Sequence, residues 1–200
     1  MSAASLPLPL LQRAHGVPNW VDLHTTQPER ACVFYEQILG WTLRRPPLSA
    51  VADRPASSPL PAIDETPSRS SLALVDGEGV AEVVGRGAGD ELSLLPSSWF
   101  PYVAVDDLDA ALDLVEPAGG LVLSSAATRD DGARVATILD QADAVLRLWE
   151  PAKQVGAPVV GQPGSLSWIE LETNDLDGAR KFYGELFDWD SGEVDDPGCG

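Results

Sequence analysis

Residues 19–41 read NWVDLHTTQPERACVFYEQILGW, and residues 167–189 read SWIELETNDLDGARKFYGELFDW. With Trp20 set against Trp168, the residues Leu23, Thr25, Ala31, Phe34, Tyr35 and Trp41 fall without a gap on Leu171, Thr173, Ala179, Phe182, Tyr183 and Trp189. Asp22 meets Glu170, and Ile38 meets Leu186. A match that runs through a strand pattern, a cap and a helix face marks a duplicated structural unit. In the first copy, Val17–Thr25 alternates and carries Val and Trp, which predicts a strand. Thr26 and Glu29 have the spacing of a capping box, with Pro28 in the first turn. Ala31, Phe34, Tyr35 and Ile38 then predict one apolar helix face, closed by Gly40.

The pattern continues outward from that phrase. A short strand is predicted from Trp41, then a Pro-, Ser- and Ala-rich loop over 46–69 that reads as disordered. Leu72–Val75 and Val80–Val84 predict two strands around the turn DGEG. The order then recurs: the strand WFPYVAVDD, a helix DLDAALDLVEPAGG with Leu108, Ala111, Leu112 and Val115 on one face, and the strands LVLSSAAT, ARVATILD and AVLRLWE. Residues 17–85 and 99–151 therefore each read β-α-β-β-β. Residues 1–16 read as a mobile tail, 17–151 as one complete domain, 152–164 as a linker, and 165–200 as the start of a second domain that stops early, so that the chain reads as a truncated tandem. On that reading Phe182, Tyr183, Leu186, Phe187 and Trp189 need cover, from the first domain, from another chain or by aggregation.

These βαβββ pairs, the strand followed by FYEQILGW, and the half that begins YVAVDDLDAA resemble the vicinal oxygen chelate superfamily of glyoxalases, bleomycin-resistance proteins and extradiol dioxygenases. The W-x-[DE]-L-x-T phrases are most similar to tandem glyoxalase-like proteins. The resemblance implies an α+β fold in which paired βαβββ modules form a curved-sheet cleft. Pairing has a physical motive, since one module leaves a sheet face and an edge bare.

Metal-binding members of that family place His or Glu on strands facing the cleft. The resemblance puts Trp20, Phe100 and Arg147 at three of those places and leaves the fourth, near Glu82, unfixed. An indole, a phenyl ring and a guanidinium are not ligands for a divalent cation, so neither a metal nor another cofactor is expected. Strand parity adds Asp22 and His24 to the face of Trp20, Tyr102 to that of Phe100, and Trp149 to that of Arg147. The expected ligand-binding set is thus Trp20, Asp22, His24, Phe100, Tyr102, Arg147 and Trp149, suited to a small hydrophobic or aromatic molecule. Asp22 and His24 are also weak candidates for an acid/base pair in a lyase-, isomerase- or dioxygenase-type enzyme of the superfamily. The competing reading makes the aromatics core, pairs Arg147 with Asp22, and leaves His24 at a strand end in water. A third reading is an inactive fragment or scaffold.

The composition is globular, with 44% hydrophobic and 22% charged residues. Thirteen basic against 31 acidic residues give a net charge of -18, which repels nucleic-acid phosphates and anionic membrane surfaces and argues against both as partners. Cys32 and Cys199 form no metal-type pair. Prolines interrupt the apolar run near the N-terminus, so a cytoplasmic location is expected, with a small-molecule ligand and a homo-oligomer through the exposed 165–190 segment as partners.

Overall fold

The computed structural model describes residues 14–45, 70–87, 96–129, 132–152 and 159–192. The loop expected over 46–69, most of the expected N-terminal tail, and Cys199 lie outside the described residues. The fold is mixed α+β, with three helices among the described residues. None of them is long and apolar enough to cross a membrane. The chain divides into two compact units, one of residues 19–102 and 155–169, the other of residues 1–18, 103–154 and 170–200.

The first unit carries the first module. Its elements are β1 (Pro18–Thr25), α1 (Pro28–Leu39), β2 (Thr42–Arg44), β3 (Ser70–Val75) and β4 (Glu78–Gly85), followed by the start of β5 (Ser98–Ala104). The strands run β2-β3-β4-β1, antiparallel until β1 joins β4 in parallel, with Asp22 opposite Glu82 and His24 opposite Val84. Asp76 and Gly77, both at positive φ, make a two-residue turn between β3 and β4, two residues shorter than the expected DGEG turn because β4 already begins at Glu78. Leu23, Cys32, Trp41, Ala73, Val80, Ala81 and Val83 form the core, with Ala31 and Tyr35 packed against it.

Helix α1 differs from its sequence reading in two ways. Its N-cap is Gln27 without a side-chain capping bond, because the Thr25 hydroxyl accepts the Gln27 N–H one turn earlier. Its buried face is Pro28 and Cys32, while Phe34 and Ile38 are 53% and 61% exposed. The helix is therefore rotated from the expected face, and one apolar stripe is left uncovered.

The second unit holds the end of β5, then α2 (Leu108–Val115), β6 (Leu121–Val122), β7 (Ala127–Thr128), β8 (Arg134–Leu139), β9 (Val145–Glu150) and α3 (Leu176–Phe187). Strands run β9-β8-β6, with β7 also on β8. The single strand expected over LVLSSAAT is two short pieces, because the chain leaves the ladder at Ser124, whose hydroxyl accepts the Thr137 N–H. Asp107 caps α2 by accepting from Ala110 N–H, and Asp175 caps α3 by accepting from Gly178 N–H. Asp140 orders the β8–β9 turn: its Oδ1 accepts from Ala142 and Ala144 N–H, and its Oδ2 from the Tyr183 hydroxyl. Phe182, Leu186 and Phe187 share one core with Leu108, Ala111, Val115, Ile138 and Leu148. Phe182, Leu186 and Phe187 of the third helix are thus covered within this unit, while Leu176 is 56% exposed. Residues 165–173, read as a further strand, adopt no strand pairing among the described residues.

Candidate functional site

Strand β1 turns Leu23 toward the core under α1, so Trp20, Asp22 and His24 lie on its other face. Among the hydrogen bonds that Asp22, 1% exposed, accepts there are two from side chains of β1 and β5. The Trp20 indole N–H reaches Oδ1 at 2.7 Å, and the Tyr102 hydroxyl donates to Oδ2. A carboxylate is sustained this far from water only when such donors replace its hydration.

Beside this pair sits His24, only 3% exposed. Its ring stacks on Phe100 with centroids 4.5 Å apart and planes inclined by 29°. Its Nε2 lies 3.9 Å from Asp22 Oδ2, and neither ring nitrogen has a hydrogen-bond partner. The competing reading of a solvent-facing imidazole at the strand end therefore does not hold. Strand β1 runs on to Thr25, and Phe100 covers the ring.

Five of the seven expected site residues, Trp20, Asp22, His24, Phe100 and Tyr102, come together in the first unit. The other two, Arg147 and Trp149, belong to the second unit. On β9, Leu146 and Leu148 turn into the core, which leaves Arg147 and Trp149 on the opposite face. The sequence left the position of Glu82 open; the parallel pairing of β1 with β4 sets it opposite Asp22, half-buried. No local pattern announces a parallel register, so only the fold supplies this neighbour.

The three positions implied for cation ligands hold groups that do not fit a cation. The Trp20 N–H is a donor committed to Asp22, Phe100 offers a ring packed on His24, and Arg147 carries positive charge. Among the described residues no three His, Cys, Asp or Glu side chains come together in a metal-binding group.

A family model described as the Glyoxalase/Bleomycin resistance protein/Dioxygenase superfamily matches residues 17–165. The chain belongs to that superfamily. Among its relatives is CFP32 of Mycobacterium tuberculosis (strain CDC 1551 / Oshkosh), provisionally named a glyoxylase, 35% identical over 168 residues, or 84% of this chain and 58% of that protein. The anthracycline biosynthesis protein DnrV of Streptomyces peucetius is 32% identical over 180 residues, or 85% of this chain and 60% of that protein. The chain thus spans less than two thirds of the length of these relatives. Among solved structures, the Mn(II)-bound glyoxalase from Novosphingobium aromaticivorans superposes with a TM-score of 0.53 at 16% identity, covering 86% of this chain and 52% of that one. At that identity the likeness speaks for the glyoxalase fold alone.

Proposed function

We propose that this superfamily member binds a small, flat, partly apolar molecule bearing a hydroxyl or carbonyl group, and does so without a metal. The observation that carries the reading is His24, a buried imidazole with two unmet ring nitrogens, flanked by a buried carboxylate and an aromatic ring. An unmet buried polar group costs about 1–3 kcal/mol, which a ligand that bonds to it recovers. Trp20, half-buried, supplies flat apolar surface beside it, while Phe100, 1% exposed, backs the imidazole ring. The relative named for anthracycline biosynthesis makes a hydroxylated polycyclic aromatic a reasonable first probe. The experiment is a titration with 1,4-dihydroxyanthraquinone, read by tryptophan quenching and calorimetry. Binding should survive chelator treatment and weaken about tenfold in His24→Phe, which keeps the ring stack and removes the nitrogens. Equal binding by His24→Phe would overturn the reading, and no binding by any aromatic probe would favour a scaffold.

The 3.9 Å approach of His24 to Asp22 supports a second reading, in which the carboxylate orients the imidazole as a general base toward the bound molecule. It requires turnover, with a pH profile that disappears in His24→Phe while ligand affinity remains measurable.

A further inference from the structure

Phe100 holds the His24 ring by its face, so the imidazole makes its polar contacts along its edge, through Nδ1 and Nε2. The two nitrogens are not in equivalent places. Nε2 lies 3.9 Å from Asp22 Oδ2, too far for a hydrogen bond but close enough for the charge to act in a buried setting. A neutral imidazole carries one N–H and one lone pair, and either nitrogen can hold the proton. Beside a carboxylate oxygen an N–H dipole is attracted and a lone pair is repelled. The carboxylate thus favours the proton on Nε2 and leaves Nδ1 as an acceptor. Neither nitrogen has a hydrogen-bond partner among the described residues.

Asp22 is itself held in a fixed sense by its donors, which all lie in the first unit with it. The Trp20 indole N–H donates to Oδ1 at 2.7 Å, and an indole nitrogen can only donate. The Tyr102 hydroxyl donates to Oδ2, the oxygen that faces His24, and a hydroxyl can also accept. The two carboxylate oxygens therefore differ: the position of Oδ1 must stay an acceptor, whereas the position of Oδ2 need not.

We propose that Asp22 fixes His24 as a hydrogen-bond acceptor, so that the site selects ligands bringing a phenol or enol hydroxyl over ketones and ethers of the same shape. This rests on the reading of His24 as the polar anchor of a bound molecule. A hydroxyl satisfies Nδ1, whereas a carbonyl or ether oxygen sets lone pair against lone pair and leaves both without a partner. Asp22 is a positioning residue, since it acts through the His24 ring. The same geometry gives a way to change the preference. In Asp22→Asn the carboxamide oxygen has to remain on Trp20, because the indole only donates. The NH2 group then takes the place of Oδ2, donates toward Nε2 and moves the ring proton to Nδ1, while the Tyr102 hydroxyl turns from donor to acceptor.

Two readouts test this. In the ligand-free chain, long-range nitrogen–proton NMR at about pH 8, above the ordinary imidazole range, reports which ring nitrogen carries the proton. The chain has two histidines, so a His15→Gln sample identifies the His24 signals. The proton should sit on Nε2, and a proton on Nδ1 would overturn the proposal however the variant behaves. Calorimetry then compares 2-naphthol with 2-methoxynaphthalene, which share a ring system and differ in the donor. 2-Naphthol should bind about tenfold more tightly, and Asp22→Asn should shrink or reverse that ratio. Equal affinities in the unmodified chain, or an unchanged ratio in folded Asp22→Asn, would overturn the selection by Asp22 while leaving a binding site. Binding of neither compound would remove the binding reading itself, and the ligand class with it.

Discussion

Residues 19–25 and 167–173 carry one pattern and meet different fates. The first is strand β1, paired in parallel with β4. The second has no strand pairing among the described residues, and its Trp168 is 81% exposed. Yet the helix that follows each is formed, and both end in a left-handed residue, although only α3 has a side-chain N-cap, Asp175. The difference lies in where backbone hydrogen bonds close. A helix satisfies its N–H and C=O groups inside the segment, whereas a strand needs a neighbour, so the same words fold only where the neighbour is present. Side-chain cover follows the same logic: Phe34 and Phe182 are equivalent in sequence, and only Phe182 has a module against it.

The sharpest way to break this comparison is to truncate both phenylalanines. Phe182→Ala should cost ~3–5 kcal/mol, the usual penalty for removing a fully buried ring, while Phe34→Ala should change stability by less than about 0.5 kcal/mol. Urea denaturation of the two variants measures both. Comparable losses would mean that α1 is covered in solution, contrary to the structure.

The glycines that precede the two copies come next, since Trp41 donates to Gly164 O at 2.6 Å and Trp189 to Gly16 O at 2.8 Å. Gly16→Ala and Gly164→Ala each add a left-handed alanine, at about 1–2 kcal/mol, and a Cβ pressed on a carbonyl oxygen, at about 1–3 kcal/mol more. Gly40→Ala pays only the first of these, because nothing lies within 4 Å of its would-be Cβ. Denaturation midpoints should therefore fall further in the first two than in Gly40→Ala. A difference between Gly16→Ala and Gly164→Ala would show that the two tryptophan–glycine closures are not equivalent.

A pH series probes Tyr183, the tyrosine of the second copy. Burial, and after it the neighbouring Asp140 carboxylate, pushes the Tyr183 phenol far above the usual phenol range. The folded state then holds its proton where the unfolded chain, titrating near 10, releases it. Stability is intact below about pH 10 and falls above it, by ~1.4 kcal/mol per pH unit for this group. Tyr183→Phe should remove that part of the alkaline loss, as read from urea midpoints between about pH 9 and 11.

Much of this was legible in the sequence, for reasons that particular residues make plain. The βαβββ order followed from alternation and helical spacing, and a turn between Val75 and Val80 from its Asp and Gly residues; the Asp107 cap went unread, although its bond to Ala110 is local. The side of β1 that carries Trp20, Asp22 and His24 followed from strand parity, since a strand has only two faces. The face of α1 did not, because Phe34 and Ile38 are apolar enough to be core and only the position of the neighbouring module decides that they are not. The placement of Glu82 beside Asp22 and the burial of His24 were equally hidden, as both depend on strands far apart in the chain. The strand expected at the start of the second copy has no pairing among the described residues, since its pattern alone supplies no neighbouring strand.

The smallest expected effect sharpens the comparison at its centre, the paired tryptophans. Trp20 donates its indole N–H to a buried carboxylate that has Tyr102 as its other named donor. Trp20→Phe keeps the ring and removes the donor, leaving Asp22 one bond short, which should cost about 1 kcal/mol. Trp168→Phe removes the same atom from a side chain 81% exposed, where water replaces whatever is lost, so its cost should lie within about 0.5 kcal/mol of zero. Urea titration of the two variants compares the folded and the unpaired copy of one phrase at a single atom. If Trp168→Phe were the costlier change, the 167–173 segment would have to be engaged with something that holds its indole.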